Sequence, residues 1–142
     1  MVDVTPKEPT HRRAVARCKV FMSPETTAAV AHREMKKGDV IAVARVAGIQ
    51  AAKRTSDMIP LCHPLYIRAV SVNFNIADDH VAVEVQVDTV DRTGVEMEAL
   101  TAVSVAGLTI IDMVKALDPA ATITDIRIDS KSGGKNGDWK RA

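Results

Sequence analysis

From Ala14 to Met22 apolar side chains occupy every second position (Ala14, Ala16, Cys18, Val20, Met22), with Arg13, Arg17 and Lys19 among the positions between. That period of two predicts a half-buried strand with Cys18 on its inner face. Ser23-Pro24 then opens a helix, serine as N-cap and proline at the first helical position, and Gly38, after Met35-Lys36-Lys37, is its predicted stop. Asp39 caps a second helix running to about Arg54, in which Ala44, Gly48 and Ala51 allow close approach of another element. Thr55 to Pro64 reads as a loop, because Pro60 and Pro64 cannot donate to a ladder. Its apolar content (Met58, Ile59, Leu61, Cys62, with Leu65 following) predicts a packed loop that holds its polar residues in place.

Val70, Val72, Phe74 and Ile76 alternate on a second strand, and Val81, Val83, Val85 and Val87 on a third, joined as an antiparallel hairpin by Ala77-Asp78-Asp79-His80. Arg92-Thr93-Gly94 leads into a long helix to about Leu117, ended by Asp118-Pro119, and Thr122 to Asp129 forms a last strand before the tail Lys131-Ser132-Gly133-Gly134-Lys135. With the first two helices counted as one crossover, the order is βαββαβ. The expectation is an α+β, ferredoxin-like fold, a four-stranded antiparallel sheet with helices on one face, in a single domain over residues 1–142. The long helix is apolar nearly all round, from Leu100 and Val103 through Ile110, Ile111 and Leu117. It must be buried on more than one side, which points to an oligomer.

Composition narrows the class further. Of 142 residues, 46% are hydrophobic and 26% charged, ordinary for a globular chain and unlike a disordered, collagen-like or disulfide-built one. The two cysteines, Cys18 and Cys62, fit a reducing compartment, and the most apolar stretch, Val95 to Leu117, carries Glu96, Glu98, Asp112 and Lys115. A cytoplasmic protein with no membrane partner is expected. Five Lys/Arg against two acids fall in residues 1–20 and the same numbers in residues 127–142, leaving nine basic and fourteen acidic residues between. Such basic ends can collect a polyanionic small ligand. An aromatic content of 3% argues against nucleic acid as a partner.

Several residues stand out chemically. Glu96 follows Thr93 by three, a capping-box spacing that gives it a structural reading, whereas Glu98 lacks that role and only the helix dipole favours it. Asp112 and Lys115, at i and i+3, can be a surface ion pair or, among Ile110, Ile111, Met113 and Val114, a proton-transfer couple. Glu98 and Asp112 are separated by roughly 21 Å of helix, so one subunit cannot bring both to one reacting atom, although two subunits can. His63, held beside Pro64, is either a hydrogen-bonded structural histidine or a phosphate ligand or acid/base; no second Cys or His lies at ligand spacing, so no metal is expected. Lys131-Ser132-Gly133-Gly134-Lys135 can cradle phosphate or be a basic tail, and it is not a Walker A loop.

Taken together, Lys37-Gly38-Asp39, Ala47-Gly48-Ile49-Gln50-Ala51-Ala52-Lys53-Arg54-Thr55, Ile59-Pro60-Leu61-Cys62-His63-Pro64-Leu65, Thr93-Gly94-Val95-Glu96-Met97-Glu98-Ala99-Leu100-Thr101-Ala102 and Lys131-Ser132-Gly133-Gly134-Lys135 closely resemble the cyclic pyranopterin monophosphate synthase family of molybdenum-cofactor biosynthesis. The resemblance covers essentially the whole chain. It implies a lyase acting on 3′,8-cyclo-7,8-dihydro-GTP, giving a pyranopterin with a cyclic phosphate and releasing diphosphate. It implies a ferredoxin-like hexamer, a trimer of dimers, with active sites at the dimer interface. It places catalysis on Asp112 with Lys115 and Lys37, and substrate contacts on Leu61, Cys62, His63, Met97, Glu98, Lys53 and Lys131, with Lys53, His63 and Lys131 toward the triphosphate. No cofactor is called for, although Mg²⁺ can accompany the phosphates. A non-catalytic ferredoxin-like ligand-binding module is the alternative. One departure is Met22-Ser23-Pro24, where relatives often carry Met-Arg-Ser; Arg12, Arg13 or Arg17 could replace that arginine.

Overall fold

A computed structural model describes residues 1–142. Its elements run β1 (Thr10–Phe21), α1 (Pro24–Ala31), α2 (Val40–Lys53), α3 (Thr55–Met58), β2 (Ala69–Ile76), β3 (His80–Asp91), α4 (Glu96–Val114), β4 (Thr122–Ser132) and β5 (Trp139–Lys140). The sheet has five strands, in the order β2-β3-β1-β4-β5, and every neighbouring pair is antiparallel. The expected four strands are present and the fifth is a correction. After Gly133 and Gly134 the chain turns back, so that Lys140 pairs with Ser130 and Trp139 with Lys131. Both glycines have positive φ, and a Cβ on Gly133 would stand 2.0 Å from the His11 carbonyl oxygen, so this turn requires glycine.

β1 pairs with β3 in unbroken register from Thr10↔Asp91 to Phe21↔His80. Its even-numbered side chains, Ala14, Ala16, Cys18 and Val20, are buried beneath the helices together with Val81, Val83, Val85 and Val87 of β3. The odd-numbered ones form the outer face, where Arg13 reaches Asp88 at 2.8 Å and Arg17 reaches Asp129 at 2.9 Å. Burial of one face accounts for the alternation. α4 is the central helix: Ala99, Ala102, Val103, Ala106, Ile110 and Val114 are fully enclosed between sheet and α2. It is long and apolar enough to cross a membrane, but its place here is in the core. α2 runs antiparallel to it, since Lys37 just before α2 reaches Asp112 while Gly48 lies against Ala102 and Ala106.

Several boundaries differ from the sequence reading, each for a local reason. α1 stops at Ala31 rather than near Gly38, because Arg33 adopts φ 58° and the Glu34 and Arg33 N–H groups return to the carbonyls of Ala29 and Val30, a Schellman closure without glycine. Thr55 to Met58 is a helical turn rather than loop, with the Thr55 hydroxyl donating back to the Ala51 and Ala52 carbonyls at 3.2 and 3.0 Å. α4 ends at Val114, with turns to Leu117, and β4 continues past Asp129 to Ser132, so Lys131 is a strand residue.

Candidate functional site

The first turn of α4 meets the segment after α3 at a cleft of about 390 Å³. Leu61, Cys62, His63, Met97 and Glu98 line it, together with Met1, Val2, Val4 and Lys7 from the N-terminal segment. The capping box expected at Thr93 and Glu96 does not form: the N-cap is Val95, without a side-chain cap. Glu96 instead folds back over Gly94 and lies 3.6 Å from Lys131 Nζ. A Glu96 engaged by a strand lysine is unavailable to the helix terminus, which explains the failure of the Thr93 signal.

Glu98 is the unusual group here. It is 4% exposed, and burial pushes its carboxyl up to about 7, against the pull of its own backbone N–H and with a further push from Glu96. The Cys62 thiol is also raised, first by burial and then by the Glu98 charge. A carboxyl that ionises near neutrality beside an open cleft is able to exchange protons with a ligand. His63 is half-buried and holds no hydrogen bond within the chain. The loop is less enclosed than its apolar content predicts, with Leu61 and Tyr66 at 68% and 77% exposure.

At the far end of α4, Asp112 sits between two lysines. Lys37 Nζ donates to Asp112 Oδ2 at 3.1 Å and to its carbonyl at 3.2 Å, while Lys115 Nζ donates to Oδ1. These ammonium groups, Lys115 first, hold the Asp112 carboxyl below the usual carboxylate range. The pair is not set in apolar surroundings, as the sequence around it predicts, because its side chains point outward and are about half exposed. Beside it, Met35, Met113 and Leu117 help to line an apolar hollow of about 730 Å³.

The ten candidate residues therefore fall into two groups. Leu61, Cys62, His63, Met97 and Glu98 share the cleft, and Lys37, Asp112 and Lys115 share the opposite end of the helix. α4 is unbroken between them, which leaves roughly 21 Å between Glu98 and Asp112 along the axis. Lys131 is tied to Glu96 near the cleft, and Lys53, exposed at the end of α2, lies at the cleft end of the antiparallel helix pair. Of the arginines, Arg13 and Arg17 are committed to Asp88, Glu84 and Asp129 on the outer face. Arg12 alone turns to the helix side, its Nη2 donating to the Arg92 carbonyl at 3.5 Å and its buried Nε unpartnered. Lys7 carries no signal of its own in the sequence, where it is one basic residue among five near the N-terminus. The structure makes it the only lysine or arginine lining the cleft, and Arg92 Nε fixes its backbone by donating to the Lys7 carbonyl at 3.0 Å.

The α+β fold thus carries a carboxyl poised near neutrality at one end of its central helix and a lysine-flanked carboxylate at the other, both groups able to exchange protons with a ligand. The MoaC family matches residues 1–134, and the chain belongs to that family. It is 55% identical over 142 residues to a cyclic pyranopterin monophosphate synthase of Streptomyces avermitilis, an alignment covering 100% of this chain and 84% of the relative. A cyclic pyranopterin monophosphate synthase of Thermomicrobium roseum is 55% identical over 143 residues, with 99% of this chain and 86% of the relative covered. Cyclic pyranopterin monophosphate synthase 3 of Mycobacterium tuberculosis is 56% identical over 142 residues, covering 99% and 80%. The chain is accordingly an enzyme of molybdenum-cofactor biosynthesis.

Proposed function

We propose that this enzyme converts 3′,8-cyclo-7,8-dihydro-GTP to cyclic pyranopterin monophosphate and releases diphosphate. The observation that carries the reading is the Lys37–Asp112–Lys115 cluster, an acid–base group on the family-matched helix, placed where a neighbouring molecule can reach it. The chemistry asks for two things. Opening and rebuilding the purine-derived ring requires protons to be removed and returned at several atoms. Closing the cyclic phosphate requires a ribose-derived oxygen to lose its proton and attack the α-phosphorus as the bond to diphosphate breaks.

Asp112 accepts and returns protons, with Lys115 and Lys37 as the adjacent donors. Glu98, ionising near 7, is a second proton-exchanging group at the pterin-forming end. Leu61, Cys62 and Met97 shape the cleft around the ring. Lys53 and Lys131, with Lys7, present positive charge to the phosphates and to the departing diphosphate, and His63 offers them a ring N–H donor. The rearrangement is redox-neutral, so the residues need no resident redox cofactor, and Mg²⁺ can accompany the substrate phosphates. The element order βαββαβ and the strand order β2-β3-β1-β4 support a ferredoxin-like core. The separation of the two residue groups supports active sites completed at a dimer interface, the family resemblance supports a trimer of dimers, and the two free cysteines suit a reducing, cytoplasmic setting.

The test is direct. Purified protein is incubated with enzymatically made 3′,8-cyclo-7,8-dihydro-GTP while diphosphate and the oxidised pterin product are followed, with Asp112→Asn alongside. Product from the wild type and none from Asp112→Asn, which still binds substrate, is the expected result. Binding without turnover by either protein would contradict the reading.

A further inference from the structure

Residues 3–7 fold into a compact turn ahead of β1. The Thr5 N–H donates to Asp3 Oδ1 at 2.9 Å and the Lys7 N–H to the Val4 carbonyl at 3.0 Å, with the φ of Pro6 fixed between them. Val4, half-buried, anchors the turn: it lines the cleft and also the neighbouring hollow shared by His63, Leu65 and Thr93. A single hydrogen bond holds this turn to the rest of the chain, from Arg92 Nε to the Lys7 carbonyl at 3.0 Å. Arg92 is itself secured, its N–H donating to Asp91 Oδ1 at 2.7 Å and its carbonyl accepting from Arg12 Nη2 at 3.5 Å. Arg12 is wedged beneath the glycine turn, where a Cβ on Gly134 would stand 2.1 Å from its Nη1. Arg92 thereby joins the N-terminal segment, the turn before α4 and the chain that follows Lys131.

Resting on the reading of this cleft as the substrate site, we propose that Arg92 is a positioning residue for the phosphate end of the substrate. It acts through Lys7 and does not touch the ligand itself. A segment outside every helix and strand has no ladder to order it, and having to order it on binding would weaken affinity. By gripping the Lys7 carbonyl, Arg92 keeps the turn in place as a wall of the cleft, so that the Lys7 ammonium is on station before the ligand arrives. The bond goes to the main chain, which leaves the charge of Lys7 free for the ligand. The grip does not titrate either, because a guanidinium stays protonated at every working pH.

Arg92 is exposed, so Arg92→Met leaves the core intact, which circular dichroism checks. The variant is expected to raise KM for 3′,8-cyclo-7,8-dihydro-GTP about 10-fold while changing kcat by less than about 3-fold. Its affinity for inorganic diphosphate, measured by calorimetry, is expected to weaken about 5–10-fold. Iodoacetamide labelling of Cys62, which shares the cleft with the turn, is expected to speed by at least about 3-fold. Arg92→Lys keeps a donor and is expected to stay within about 3-fold of the wild type in every readout. Added to Lys7→Met, Arg92→Met is expected to raise KM no further, because no charge remains to be placed. Unchanged Cys62 labelling in Arg92→Met would overturn the proposal, since the turn would then hold without the arginine. So would a KM effect that persists in full beside Lys7→Met, which would make Arg92 a direct contact. If labelling speeds and diphosphate affinity falls while wild-type protein makes no product, the positioning role stands and only the assignment of the reaction fails.

Discussion

Lys37 Nζ reaches Asp112 Oδ2 at 3.1 Å across 75 residues of sequence, joining the loop before α2 to the last turns of α4. Lys115 holds the other carboxylate oxygen. An exposed carboxylate between two ammonium groups contributes little to stability, because solvent screens the pair, but its position is fixed from both sides, as the proposed acid–base role requires. Lys37→Met is therefore expected to leave the melting temperature nearly unchanged and to lower kcat by about 10–100-fold. Thermal melts and steady-state diphosphate release check both halves. A large loss of stability without loss of kcat would make Lys37 structural.

Glu98 makes stability depend on pH. Its carboxyl titrates near 7 in the folded chain, above its ordinary 4.5, so the folded state favours the neutral form. The associated stability is fully present below 4.5 and is lost as pH rises through 7, a contribution on the order of 3 kcal/mol. Glu98→Gln is neutral at every pH. The melting temperature is expected to fall between pH 5 and 8 with Glu98 and to stay flatter with Gln. Parallel slopes would contradict this.

The two cysteines should differ in reactivity. Burial pushes Cys18 up to about 12, and it sits under α4 with its thiol 3.7 Å from the Val103 carbonyl. Cys62 is raised less and opens on the cleft. Iodoacetamide on native protein, read by mass spectrometry, is expected to label Cys62 and leave Cys18 until unfolding. Glu98→Gln removes the neighbouring charge and is expected to speed Cys62 labelling at pH 8.

Gly133→Ala would place a Cβ 2.0 Å from the His11 carbonyl in a backbone at φ 89°. A cost of about 1–3 kcal/mol is expected, since both the strain and the clash with backbone must be relieved. Because Lys131 precedes this turn and Arg12 packs against it, KM for the substrate should also rise, which denaturant unfolding and initial rates would separate.

The sequence made the strands and the central helices readable where one physical rule acted alone. Alternation marked β1 and the β2–β3 hairpin because each buries one face, and Asp39 marked α2 because its side chain does accept from the Ala42 N–H. Signals failed where a second contact intervened. Thr93 and Glu96 have capping-box spacing, yet Lys131, distant in sequence, draws Glu96 away. Arg33 ends α1 in a conformation usually left to glycine, and β5 pairs only two residues, too few to show a period. The site residues were recognisable through their resemblance to a family, while their division between two ends of one helix followed from spacing alone. Lys7 and Arg92 carried no local signal, because what matters is a backbone contact between the N-terminal segment and the turn before α4.

The central claim is that Glu98 of one subunit works with Asp112 of another. Mixing inactive Asp112→Ala with inactive Glu98→Ala under conditions of verified subunit exchange tests it most directly. Random exchange across a two-fold interface restores one intact site in each mixed pair, so activity should return to about one quarter of the wild-type value. No recovery with exchange demonstrated would contradict the account and place both residues in service of separate sites.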